Sequence, residues 1–195
     1  MSRFKPNFIK NTISMFIIVL TILIGLFILN NLSQKPTNKI MLGGTFNLTD
    51  QNGNTYSSED TKKKKLIYFG YTYCPDVCPV DILKISNFID KNENLLSDTD
   101  FIFVTVDPDR DTVEQIHNFL SNFNENIIGL TGNSKDVSSV LNKFRVYVKT
   151  NKKAQSSDIY LVDHSSLIFL MSKNDEYITH FSPKDFDQKI NNYLN

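Results

Sequence analysis

The chain has only two cysteines in 195 residues, Cys74 and Cys78, so none are left over to build a network of disulfides. A small secreted scaffold stapled by several bridges is therefore excluded. Positions 1–39 contain no acidic residue but do contain Arg3, Lys5, Lys10, Lys35 and Lys39, so a formal net charge of zero conceals an uneven distribution. Setting those five bases aside leaves 16 bases against 21 acids, a balance of −5. The remainder lacks the basic face that displaces counterions from phosphates, and no nucleic-acid partner is expected. One basic cluster, Lys62 to Lys65, reads as a solvated turn ahead of the apolar run Leu66–Phe69. There is no internal repeat or low-complexity tract, and 41% apolar with 22% charged residues suits one domain with a full core plus an accessory segment.

Charge is also missing from the stretch Asn11 to Gln34, within which Ile13–Leu29 is an apolar run of seventeen residues. At about 1.5 Å per residue this reaches the lower limit for crossing a hydrocarbon core of about 30 Å. Every face of the run is apolar, which argues against a core helix. The residues that follow, Asn30 to Gln34, lack the small-x-small pattern of a signal-peptidase site, so an uncleaved anchor is expected. Arg3, Lys5 and Lys10 assign its N-terminal flank to the cytoplasm and the domain to the far side. The expected organisation is a cytoplasmic tail at 1–11, a transmembrane anchor at 12–30, a linker at 31–42 and one domain at 43–195. No Arg- and Ser-rich transit peptide precedes the anchor, so a bacterial inner membrane with a periplasmic domain is expected, the mitochondrial inner membrane being the analogue.

Within the domain, Thr45–Thr49 followed by Asp50-Gln51-Asn52-Gly53-Asn54 predicts a strand and a turn. Leu66–Thr72 and Phe101–Val106 read as buried strands. Between them Cys78, Ile82, Ile85 and Ile89 fall at helical spacing, with Pro75 and Pro79 tolerable only in a first turn. Thr112 and Gln115 form a capping box before the apolar face Val113, Ile116, Leu120 and Phe123. Ile127–Leu130 predicts a strand and Ser134–Phe144 a helix. Asp158–Val162 and Leu167–Met171 predict a hairpin turning at Asp163-His164-Ser165-Ser166, Glu176–Phe181 a further strand, and Ser182-Pro183 the cap of a last helix. This order predicts an α/β, thioredoxin-like fold with an extra N-terminal β-hairpin, preceded by one transmembrane helix.

In Tyr73-Cys74-Pro75-Asp76-Val77-Cys78-Pro79 the cysteines stand at i and i+4 where a strand gives way to a helix, so helical geometry would point both sulfurs to one face. A helix N-terminus favours thiolate, the form that both redox chemistry and soft-metal binding require. Three uses compete: a structural disulfide, a redox-active disulfide between Cys74 and Cys78, and a metal site. A loop this short gains little from a structural bridge, and thioredoxin-type redox motifs space their cysteines one residue closer. A metal site needs a further ligand, and copper suits two soft sulfurs with an imidazole. Of the three histidines, His117 falls on a predicted helix away from the strand ends and His180 near the end of a strand. His164, on the predicted turn, is the preferred ligand. No proline lies between Asp109 and Ser182, and His164 stands about where a thioredoxin active site places its cis-proline.

Together GGTFNLTDQNGN, LIYFGYTYCPDVCP, VTVDPDRDT, IIGLTG and IYLVDHSSLIFLM, over residues 43 to about 194, resemble the Sco/SenC family of membrane-tethered copper proteins that assist assembly of cytochrome c oxidase. The resemblance implies that Cys74, Cys78 and His164 bind copper, as Cu(I) and as Cu(II). The implied recipient is the dinuclear copper centre of cytochrome c oxidase subunit II, with other copper carriers as further partners. Asp107 and Asp111 match acidic positions of the family's motif and are candidates for supporting the ligands, with turn chemistry as the equal alternative. Ser172 to Glu176 lacks the glycine usual in the family's late turn. The rival activities are a thiol-disulfide oxidoreductase that keeps the subunit II cysteines reduced and, behind it, a peroxidase.

Overall fold

The computed structural model describes residues 6–33, 42–151 and 160–194 and divides into two compact units, Met1–Ile40 and Met41–Asn195. The expected tail at 1–5, most of the linker and the start of the strand expected at 158 lie outside the described residues. In the first unit α1 runs from Pro6 to Ser33. Its side chains are described over 13–28, where large apolar groups are exposed on every face, from Val19 at 49% to Phe16 at 76%. Among the described residues no helix is long and apolar enough to cross a membrane.

The second unit opens with the expected hairpin, β1 (Asn47–Asp50) and β2 (Thr55–Ser57). Asp50 Oδ1 accepts from the N–H groups of Asn52 and Asn54, both at 2.8 Å, and Gly53 takes φ +84°, so the turn chemistry of Asp, Asn and Gly closes it. β3 (Lys64–Gly70), β4 (Thr99–Thr105) and β5 (Ile127–Thr131) are parallel, joined by α2 (Val77–Lys91) and α3 (Val113–Leu120). α4 (Ser134–Lys143) follows, then β6 (Val148–Asn151), β7 (Leu161–His164), β8 (Ile168–Met171) and β9 (Tyr177–Phe181). The main sheet has the order β2-β1-β5-β4-β3-β8-β9. This is a thioredoxin-like sheet with β1–β2 added at one edge.

Side-chain alternation along β3 divides the core. Tyr68 and Gly70 face the α2 and α3 side, where Tyr68 meets Phe103 and Phe103 meets Phe119. Phe69 faces the other layer, packed tilted on Phe144 and edge-to-face on Phe169 at centroid distances of 5.2 and 5.6 Å. Of the expected capping box the N-cap half is present, Thr112 Oγ1 accepting from Gln115 N at 3.2 Å, while Thr112 N donates to Arg110 O at 3.0 Å.

Three expectations are corrected. The hairpin expected between 158–162 and 167–171 does not form: β7 pairs with β6 in a separate two-stranded sheet, while β8 pairs with β3 and β9. A strand beside central β3 must bury both faces, which Ile168–Met171 does throughout, whereas Leu161–His164 carries exposed Leu161 and Asp163. The lysine run is not all solvated turn. Lys64 and Lys65 begin β3, and Lys65 is fully buried against Asp175, Nζ to Oδ1 at 2.9 Å. Ser182-Pro183 opens a turn rather than the helix, which starts at α5 (Phe186–Lys189) and continues as α6 (Asn191–Leu194).

Candidate metal centre

β3 ends at Gly70, and the loop 71–76 leads into α2 at Val77, so the cysteines are not on one helical face. Cys78 is the second residue of α2 and fully buried, while Cys74 sits in the preceding turn, half-buried, its N–H bonded to Tyr71 O at 3.3 Å. Pro79, third in the helix, has no N–H to leave unsatisfied. Both thiols are free.

Their environments push them apart. Burial acts to raise the Cys74 thiol, but the backbone N–H groups of Asp76, Cys78 and Val77 and the thiol of Cys78 outweigh it, and Cys74 is held below its ordinary value. Cys78 is pushed up to about 12, first by burial and then by the negative charge that Cys74 would carry. The helix N-terminus is thus spent on Cys74.

His164, the last residue of β7, places Nε2 3.4 Å from Cys78 Sγ. Its Nδ1 stands 3.1 Å from Ser165 O, which can only accept, so Nδ1 carries the proton and Nε2 presents its lone pair to the sulfur. Burial lowers the imidazole pKa, so the ring stays neutral at pH 7. The edge of the Tyr71 ring packs on it at a centroid distance of 5.9 Å. The contacts run Cys74 to Cys78 to His164, with Cys78 in the middle. Among the described residues no three His, Cys, Asp or Glu side chains are already gathered at metal-holding spacing. His117 on α3 and His180 on β9 are exposed, and His180 Nδ1 bonds Tyr177 OH at 2.6 Å.

Asp111 is fully buried and accepts from Thr105 Oγ1 and Thr72 Oγ1, both at 2.6 Å, and from Thr72 N at 3.1 Å. Burial raises its pKa against these bonds. It therefore holds the backbone two residues before Cys74. Asp107 takes Arg110 Nε at 2.5 Å and Tyr160 OH at 2.6 Å. Neither carboxylate contacts a sulfur or the imidazole.

Tyr68, Asp81 and Ser166 were not foreseen from the sequence. The Tyr68 hydroxyl, kept protonated by burial, donates to Asp81 Oδ2 at 3.2 Å, and Ser166 Oγ donates to the same oxygen at 2.8 Å. Asp81 recurs three residues after Cys78 on the helix, a spacing that puts it on the same side. It lines a cavity of about 350 Å³ with Asp76, Val77 and Val80. A larger cavity of about 420 Å³, around Lys91 and Phe186, includes none of the candidate ligands.

These features define a thioredoxin-like protein whose characteristic site is a dithiol with an apposed imidazole, the imidazole being absent from a simple redox pair. A sequence model of the SCO1/SenC family matches residues 34–195. The chain belongs to that family. It is similar to a SCO2-like protein of Rickettsia prowazekii, 37% identical over 186 residues, covering 88% of this chain and 91% of the relative. Among solved structures it is similar to Bradyrhizobium japonicum ScoI with copper bound, at 35% identity and a TM-score of 0.69, covering 78% of this chain and 99% of that one. Yeast Sco1 with copper bound gives 31% identity and a TM-score of 0.70 over 78% of this chain and 88% of that one.

Proposed function

We propose that this chain binds copper through Cys74, Cys78 and His164 and hands it to the dinuclear centre of cytochrome c oxidase subunit II. The observation that carries the reading is His164 Nε2 placed 3.4 Å from Cys78 Sγ, with the half-buried Cys74 in the turn just before. Two soft sulfurs suit Cu(I), and the imidazole accommodates Cu(II). The similarity to copper-bound ScoI and Sco1 supports the choice of metal. Cys74 is half-buried, so cargo held there can be reached by an acceptor's thiols.

Equimolar copper should survive dialysis of the reduced protein, and Cys74→Ser or Cys78→Ser should weaken retention by about a hundredfold, since each removes one of the two soft sulfurs that suit Cu(I). His164→Ala should chiefly weaken Cu(II). Unchanged Cu(II) retention in that variant would sink the ligand assignment.

The divergent thiols favour one rival, a disulfide reductase. In it the Cys74 thiolate attacks a target disulfide and Cys78 then displaces the target thiol, closing a Cys74–Cys78 disulfide as two electrons pass to the target. A His164→Ala protein that reduces an oxidised subunit II fragment at the wild-type rate without holding copper would decide for that rival.

The exposed apolar side chains of α1 and the uncharged run Asn11–Gln34 support a single-pass anchor at 12–30 that leaves the domain in the periplasm. Expressed in a bacterium, the full chain should stay in the membrane pellet through an alkaline wash, and a chain starting at Met41 should be released. Release of the full chain would refute the anchor.

A further inference from the structure

His164 reaches Cys78 from a strand that makes no ladder hydrogen bonds with the main sheet, since β7 pairs only with β6 among the described strands. Something other than sheet pairing must therefore fix the imidazole against the thiols. Single hydrogen bonds tie Val162 N to Tyr71 OH and Ser166 Oγ to Asp81 Oδ2, and several further links across the gap meet at one guanidinium. Arg110, in the loop between β4 and α3, donates from Nη1 to Tyr160 O at 3.0 Å and from Nε to Asp107 Oδ2 at 2.5 Å. Tyr160 OH donates back to Asp107 Oδ1 at 2.6 Å. The Arg110 Cζ lies 3.5 Å from the Tyr160 ring centroid and 4.9 Å from that of Tyr73. Tyr73 immediately precedes Cys74, and Tyr160 begins the segment that runs into β7 and ends at His164. The Arg110 side chain is only 13% exposed. Next to it, Val162 N donates to Tyr71 OH at 3.3 Å.

We infer that Arg110 is a positioning residue, a clasp that holds the His164 strand against the cysteine loop by gripping Tyr160 and Tyr73 at once. The inference rests on the copper-binding function proposed above. A planar cation with several fixed donors is what the place requires, because it lies over aromatic rings and hydrogen-bonds a carbonyl and a carboxylate at once. Lysine, a point charge on a flexible stem, keeps the charge and loses the stacking and the fork. Opening the clasp frees the imidazole and leaves the two thiols, which lie on α2 and its preceding loop, where they were. The site then keeps its Cu(I) ligands and loses the one that Cu(II) needs.

The test compares full-length wild type, Arg110→Lys and His164→Ala in detergent micelles, with and without copper. In the metal-free proteins, amide hydrogen exchange at 161–164 should be about tenfold faster in Arg110→Lys than in wild type, with β3 and β4 amides unchanged. In the copper-loaded proteins, Arg110→Lys should hold Cu(I) like wild type. It should bind Cu(II) about tenfold more weakly, as happens when a ligand's supporting partner is removed, and show the same reduced nitrogen hyperfine coupling that is expected of His164→Ala. Equally faster exchange across β3, β4 and β7, or a wild-type Cu(II) spectrum and affinity in Arg110→Lys, would reduce the clasp to general stability and overturn the inference. If wild type holds no copper, the proposed function falls, while the exchange comparison at 161–164 still decides whether Arg110 fastens the strand.

Discussion

Asp175→Asn should lower the folding stability of the second unit by about 3–5 kcal/mol, the range for removing one partner of a buried ion pair. The Lys65 and Asp175 side chains are 0% and 3% exposed, with Nζ and Oδ1 at 2.9 Å. The pair joins the start of β3 to the turn between β8 and β9, and Ser58 Oγ, donating to Asp175 Oδ2 at 3.1 Å, ties in the N-terminal hairpin. Asparagine has the same shape, tolerates the φ of +58° that Asp175 adopts, and still accepts from Ser58, so the substitution isolates the charge. What remains is a buried ammonium donating to Thr61 O at 3.4 Å. Urea unfolding should show a lower midpoint with an unchanged slope. Adding Lys65→Met should recover most of the loss, because the unpaired charge is then gone too. A loss below about 1 kcal/mol in the single variant would show that water already screens the pair.

Gly70→Ala should cost about 1–3 kcal/mol as an overpacked core and should also damage the metal site. A Cβ on Gly70 would stand 2.9 Å from Tyr68 Cε1, 3.0 Å from Phe103 Cε2 and 3.2 Å from Cys78 Sγ. The two rings are fully buried, so the Cys78 sulfur is among the groups that must move, and movement there changes its 3.4 Å approach to His164. Glycine is needed here for close approach, not for an unusual backbone, since its φ is not positive. Copper retention by the variant should weaken about tenfold, and the melting temperature should fall with it. Wild-type copper affinity in a folded variant would mean that the sulfur position is not limited by Gly70.

Strands β3, β4 and β5 and helices α2 to α4 could be read from the sequence because each signal is local: short apolar runs, helical spacing after Pro75, the Thr112 cap. The cysteine pair stands where a strand gives way to a helix, also a local signal, whereas His164 was expected on a hairpin turn that does not form and was pointed to by the family's motifs. What could not be read depends on contacts between distant segments. Lys65 sits in a run of four lysines and is told apart only by Asp175, which faces it from a turn far along the chain. β6, Val148-Lys149-Thr150-Asn151, has one apolar residue and no period-2 signal, so nothing local showed that it, and not β8, pairs with β7. Arg110 stood in plain view inside VTVDPDRDT. Its role is not legible there, because it depends on rings at positions 73 and 160 that the sequence does not place beside it.

The measurement closest to the central claim is X-ray absorption at the copper edge of the protein loaded with Cu(II) after its thiols have been reduced, wild type beside His164→Ala. A copper centre on Cys74, Cys78 and His164 gives two sulfur scatterers and one imidazole nitrogen in the wild-type Cu(II) form, with the imidazole signal gone in His164→Ala. A shell without two sulfurs, or an imidazole signal that survives the His164 substitution, would contradict it.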